Sequence, residues 1–112
     1  MTLLRSLLAD SVVFRSPAVH SAQEGSVKAF TYLRAALEVL GPSLTYKREW
    51  FAEHSAVLEF EADIDGFTAH GVDILRWDES GRLLEFTVMV RPLRALHRLV
   101  ELMGQALPAA SG

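Results

Sequence analysis

One carboxylate is out of keeping with its neighbours. In "HGVDILRWDESGRLLEF", residues 70–86, Asp73 stands between Val72 and the pair Ile74–Leu75, just ahead of a turn. A carboxyl group on an apolar strand face is desolvated, so its neutral form is favoured. In that form it donates a hydrogen bond to a ligand carbonyl or hydroxyl. The plainer alternative is a buried acid satisfied by Tyr, Trp, Arg or backbone groups. Other chemistry is thinly represented. The chain has no cysteine, which excludes disulfides, thiolate nucleophiles and zinc–cysteine sites. The histidines, His20, His54, His70 and His97, show neither HxxxH nor HxH spacing, so no metal or other cofactor is expected. His20 falls in a loop near the end of the first strand, where solvation is the ordinary role. Glu59, Glu61 and Asp63 recur at every second position, which predicts a solvated strand face rather than an acid site. No adjacent strands are expected to set a histidine against a carboxylate as a catalytic dyad needs. Arg91 and Arg94 flank the start of the last helix, where the dipole disfavours cations. Nearby acids and solvent, or an anionic ligand group, must offset them.

The elements that position these residues follow from periodicity. Leu3, Leu4, Leu7 and Leu8 predict a short helix over residues 2–9. "SVVFRSP" reads as a strand closed by Pro17, and residues 18–25 as a loop. Val27, Phe30, Leu33, Leu37 and Leu40 recur at intervals of three and four, so a helix is expected there. Gly41-Pro42 ends it, glycine accepting the left-handed conformation and proline blocking continuation. From residue 44 the period changes to two. "LTYKREWF" and "AVLEFEADI" are strands, with Leu58, Phe60, Ala62 and Ile64 on one face of the second. Placing Phe51 opposite Ala56 sets Arg48 opposite Glu59, and the poor fit of Lys47 and Glu49 suggests a bulge. Tyr46, Arg48 and Trp50 alternate along that strand, lining a pocket or anchoring a partner. A strand over 69–77, the turn "DESG" and the strand "RLLEFTVMVR" complete a hairpin. Pro92 opens a last helix with Leu93, Leu96, Leu99, Val100 and Met103 on its apolar face. Helix, strand, helix, four strands, helix makes an α+β fold with a largely antiparallel sheet.

The hairpin carries a specific register. A four-residue "DESG" loop pairs Trp77 with Arg82, so Asp73 faces Phe86 and Gly71 faces Val88. Asp73, Leu75, Leu84, Phe86, Val88 and Val90 then share one largely apolar face. His70, Val72, Thr87 and Met89 share the other. Phe14, Phe30, Phe60 and Phe86 are expected in the core, some of them doubling as pocket lining.

A length of 112 residues implies a single domain, assigned here to residues 1–106, with a frayed tail over 107–112. Net charge is −3, which argues against nucleic acid as a partner. No apolar run approaches the ~20 residues of a membrane span. "MTLLRSLLADS" lacks the length and cleavage pattern of a signal peptide, so a cytoplasmic protein is expected.

Three segments in order, "LADSVVFRSP", "EGSVKAFTYLRAAL" and "VDILRWDESGRLLEF", resemble the nuclear transport factor 2-like superfamily, which includes SnoaL-like polyketide cyclases and ketosteroid isomerases. The resemblance implies a cone: a curved, largely antiparallel sheet with helices on its concave face, wrapped around an apolar pocket. It also implies a homodimer through the outer sheet face. In the isomerases an aspartate at the position of Asp73 stays protonated and donates to the substrate oxyanion. Their general base is an aspartate just before the proline that ends the first strand, where this chain has Ser16. Their tyrosine, on a helix ahead of that base, has no counterpart in this sequence. The cyclases and limonene epoxide hydrolases use an aspartate on the last strand, at a position matched here by Val88. A serine and a valine cannot move a proton as a carboxylate does. The expectation is therefore a small-ligand pocket lined by Phe14, Ser16, Phe60, Asp73, Phe86 and Val88, with Asp73 the one catalytic candidate. Lyase, cyclase or isomerase-type chemistry goes with that pocket. A dimeric interaction module with a filled cone is the other reading.

Overall fold

The structure, a computed structural model, describes residues 6–17 and 21–107. Its elements are β1 (Leu8–Arg15), β2 (Gln23–Glu24), α1 (Ser26–Leu40), a 3-10 turn (Gly41–Ser43), β3 (Thr45–Phe51), β4 (Ser55–Ile64), β5 (Phe67–Trp77), β6 (Leu83–Arg91) and α2 (Leu93–Ala106). The strands form one curved, unclosed sheet in the order β2-β1-β6-β5-β4-β3. β1 runs parallel to β6, and every other neighbouring pair is antiparallel. α1 packs on β1 and β4, and α2 packs on α1 and on β4 to β6. This is the expected α+β architecture.

The start of the chain differs from the sequence reading. β1 begins at Leu8, so the C-terminal end of the expected helix is strand; residues 2–5 of that helix lie outside the described residues. Leu8 pairs with Leu83 of β6 and is buried, so sheet pairing overrides the local leucine spacing. Gln23–Glu24 leave the expected loop to pair with Phe14 and Val13. His20 and residues 108–112 of the expected tail also lie outside the described residues.

Each helix buries one face, and that of α1 is led by small residues. In α1 the buried positions are Ala29, Leu33, Ala35, Ala36 and Leu40, while Val27 points out. Alanines allow close approach to the sheet. In α2 the buried positions are Ala95, Leu99 and Met103, whereas Leu93 and Val100 are exposed. Gly41 does not adopt the left-handed conformation expected of it; at φ −54° it continues right-handed into the 3-10 turn carrying Pro42.

The core joins Val12 and Phe14 of β1, Phe60 and Ile64 of β4, and Leu99 and Met103 of α2, all essentially inaccessible. The Phe14 and Phe86 rings meet edge to face with centroids 5.7 Å apart. Gly71 makes room for Phe60. A Cβ at Gly71 would lie 2.2 Å from the Met89 carbonyl oxygen and 2.8 Å from Phe60 Cζ. The β4–β5 turn is Asp65-Gly66, both with positive φ (52° and 89°), the backbone that a two-residue hairpin of this twist requires.

The β5–β6 register is two residues from the expected one. Asp73 pairs with Val88, Leu75 with Phe86, and Gly71 with Val90. Asp78 is the cause. Its Oδ1 accepts from the Ser80 N–H, the Ser80 hydroxyl and the Arg82 N–H, and its own N–H bonds to the Arg82 carbonyl. The loop therefore closes at Asp78 and Arg82, Trp77 pairs with Leu83, and a register shift between Arg76 and Trp77 adds the second residue. An even shift preserves which side each residue faces, so Asp73 remains on the concave side.

Candidate functional site

A single extra residue in β3 sets the geometry of the concave face. Phe51 pairs with Ala56 and Arg48 with Glu59, as the alternation predicts, but Tyr46 pairs with Phe60. Lys47 is the bulged residue between them. Lys47 and Arg48 both reach acids on the outer side, Lys47 to Glu61 at 3.5 Å and Arg48 to Glu59 at 2.5 Å. The parity of the strand is thereby reversed on either side of the bulge. Arg48 and Trp50 face outward, where the guanidinium lies 5.8 Å from the indole centroid. Tyr46, which plain alternation would place beside them, turns inward against the Phe60 ring.

There Tyr46 meets Asp73. Its hydroxyl donates to Asp73 Oδ2 at 3.0 Å. Asp73 is 5% exposed, and burial raises its pKa from 3.8 to about 6, the bond from Tyr46 pulling the other way. Burial, then the charge of Asp73, drives the Tyr46 phenol well above its ordinary pKa. At neutral pH the pair is therefore mostly a carboxylate accepting from a phenol. Protonating Asp73 at pH 7 costs only about 1.4 kcal/mol. That is within the net worth of a good buried hydrogen bond, so a ligand acceptor can convert the pair into two O–H donors.

The pair lines an apolar cavity of about 40 Å³, together with Leu33, Ala36, Leu37, Leu40, Leu44, Phe86 and Val88. That volume holds two or three waters, against ~300 Å³ or more for a drug-sized ligand site. Of the residues the sequence places around a pocket, Asp73, Phe86 and Val88 line this cavity. Phe14, Ser16 and Phe60 do not. Phe14 and Phe60 are packed in the core, and the buried Ser16 hydroxyl donates to Met103 Sδ at 3.8 Å. Tyr46 was one of three β3 residues offered as pocket lining or partner contact, with its face left open; Leu44 and the α1 residues were not singled out as lining by sequence. The bulge beside Lys47 was the signal that could have found Tyr46.

The outer face holds a second constellation. His70 Nε2 lies 2.6 Å from Glu59 Oε2, while Arg48 occupies Glu59 Oε1. The sequence reading excluded a histidine–carboxylate contact between adjacent strands, and the structure corrects it. His70 pairs directly with Glu61 but reaches diagonally to Glu59, a neighbour that straight-across pairing overlooks. Bonds from Arg48, then from His70, hold the Glu59 carboxyl down at about 2. Among the described residues no three His, Asp or Glu side chains are placed to share a metal ion. No described helix is long and apolar enough to cross a membrane.

No protein-family model and no curated protein matches the chain. Solved structures do. A steroid delta-isomerase from Pseudomonas aeruginosa is 36% identical, with a TM-score of 0.87 over 93% of this chain and 77% of that one. An uncharacterized bacterial protein with a cystatin-like fold, from Silicibacter pomeroyi DSS-3, is 26% identical, with a TM-score of 0.86 over 93% and 73%. A SnoaL-like polyketide cyclase from Jannaschia sp. CCS1 shares the fold at a TM-score of 0.68 and 11% identity, over 88% and 77%. With the cone, its helices and the isomerase relative in agreement, the chain belongs to the nuclear transport factor 2-like superfamily.

Proposed function

We propose that this protein binds a small, flat, largely apolar molecule by its carbonyl or hydroxyl group, at the Tyr46–Asp73 pair. The observation that carries this reading is a buried acid, raised to about 6 and joined to a phenol, in the lining of an apolar cavity. The relative named as a steroid delta-isomerase supports the same class of ligand. The cavity of about 40 Å³ admits the polar end of such a molecule, and Leu37, Leu40 and Leu44 must shift to admit the rest. Isomerase, lyase or cyclase chemistry would need a proton carrier beyond the donor pair. Among the described residues, the cavity lining holds no carboxylate other than Asp73 and no histidine.

The test is titration with 4-ethylphenol and cyclohex-2-enone, followed by the methyl resonances of Leu37, Leu40, Leu44 and Val88. Saturable shifts are expected for the wild type, weakened roughly five- to tenfold by Asp73→Asn or Tyr46→Phe, the worth of one buried hydrogen bond. Equal binding by all three proteins removes the pair from the functional account.

A second reading is favoured by the smallness of the cavity and by Asp73 already having a protein partner: a filled cone acting as a dimeric module. A second copy suits the outer face. Three of its arginines are paired within the chain, Arg48 with Glu59 and Arg15 and Arg76 with Glu85. Trp50 projects from that face, half exposed, and a cleft of about 230 Å³ opens beside His70, Val72, Met89 and Arg91. A knob and a hole on one face are what a two-fold interface needs. Light scattering should give a dimer that Trp50→Lys dissociates. No saturable shift with either small molecule, combined with a stable dimer, selects this reading.

A further inference from the structure

The bulge at Lys47 brings Tyr46 to the face that Glu49 already occupies. Glu49 pairs with Leu58, Leu58 with Asp73, and Asp73 with Val88. Directly opposed residues project to the same side, so these four form one row across the concave face. Without the bulge, alternation would have left Glu49 facing the core side and Tyr46 outside; with it, both face inward. Glu49 is exposed at the open end of that row. Its neighbours Glu59 and Glu61 each have a cation, whereas Glu49 makes no ion pair among the described residues. Its charge reaches the Tyr46 phenol, adding to the rise in that group's pKa. Two strand spacings separate the backbones of Glu49 and Asp73, about 10 Å, with Leu58 between them in the row.

We propose that Glu49, on the same face as the Tyr46–Asp73 pair, is a specificity-determining carboxylate. It selects molecules with a cationic amine roughly 6–8 Å from the oxygen held by Tyr46 and Asp73. The inference rests on the ligand reading above and adds the charge of the ligand to it. An unpaired acid, set in line with Asp73 and on the same face of the sheet, attracts an ammonium group and repels a carboxylate. Because Glu49 is exposed, the attraction is modest and sensitive to salt.

Tyramine and 4-ethylphenol share a phenol and an ethyl chain and differ by the amine, which in tyramine lies at about the required distance from the oxygen. Their affinities are compared by the methyl shifts already described, at low ionic strength. Wild type should prefer tyramine by roughly three- to fivefold. Glu49→Gln should bring the ratio to about one, and added salt should shrink the wild-type ratio towards the same value. Binding of 4-ethylphenol without a tyramine preference, or a preference that survives Glu49→Gln, overturns the role of Glu49 and leaves the ligand reading standing. Failure of both molecules to bind the wild type overturns both.

Discussion

Replacing Asp73 with asparagine should make stability less dependent on pH, by an amount the structure sets. The Asp73 pKa is about 6 in the folded chain, against an ordinary 3.8. Each unit of difference is worth 1.36 kcal/mol, so the full effect is about 3 kcal/mol. The sign follows from burial raising the pKa. The folded state holds the proton more tightly, so the stabilisation is complete below about pH 4 and is lost as pH rises through 6. Asparagine keeps the shape of the neutral acid and an oxygen for the Tyr46 hydroxyl, but carries no charge at any pH. Relative to wild type, Asp73→Asn should therefore gain about 3 kcal/mol between pH 4 and pH 7.5, most of it between pH 4 and 6. Urea unfolding of both proteins across that range measures the difference. Taking the difference cancels the other titrating groups, including Glu59 on the opposite side of the sheet. Two stability curves running parallel within about 0.5 kcal/mol would mean that Asp73 is not desolvated, and the account of the site would fail with it.

Three further outcomes are expected. Deleting Lys47 removes the extra residue of β3 and leaves Tyr46 opposite Phe60, so Tyr46 stays inward and Asp73 keeps its donor; carboxyl NMR should show the Asp73 pKa unchanged, whereas Tyr46→Phe should raise it above that of wild type, and a rise on the deletion would refute the place of Lys47 as the extra residue. Gly71→Ala puts a methyl group within 2.2 Å of the Met89 carbonyl oxygen, and urea unfolding should show a loss of about 2 kcal/mol or more; a smaller loss would show that the sheet yields there. Glu59, held at about 2, stabilises the fold above the ordinary carboxylate range, and that stabilisation fades as pH falls towards 2; Arg48→Ala should reduce this acid-side dependence, with the Glu59 titration moving upward.

What could be read from the sequence depended on how many residues had to agree. From Leu58 to Ile64 apolar and acidic residues alternate, and the structure buries Phe60, Ala62 and Ile64 as that pattern requires; Glu59, expected on a solvated face, is buried too, beneath its bonds to Arg48 and His70. Arg48 opposite Glu59 was legible because charge and register pointed the same way. The place of Tyr46 was not. It hangs on a single inserted residue, and moving the bulge by one position would exchange its face with that of Lys47. The hairpin beyond Asp73 was misread by two residues because the Asp78 carboxylate gathers donors from Ser80 and Arg82, a local contact that loop length does not reveal. Gln23 and Glu24 are too short a run to show any period. The candidate acid was visible as a carboxylate among apolar residues. Its phenol partner lies 27 residues earlier in the chain and is joined to it only by folding.

Among the described residues β3 is the last strand of its sheet, with every residue exposed and no strand pairing its outer row of backbone N–H and C=O groups. Such a border is a template on which another chain can add a strand. The irregularity at Lys47 breaks the spacing that an incoming strand would have to match, and the consecutive charges of Lys47, Arg48 and Glu49 make its approach costly. The extra residue beside Tyr46 thus guards the molecule against growing by edge-to-edge accretion. Deleting Lys47 should therefore straighten the border and lower the resistance to aggregation while leaving the phenol inward, opposite Phe60.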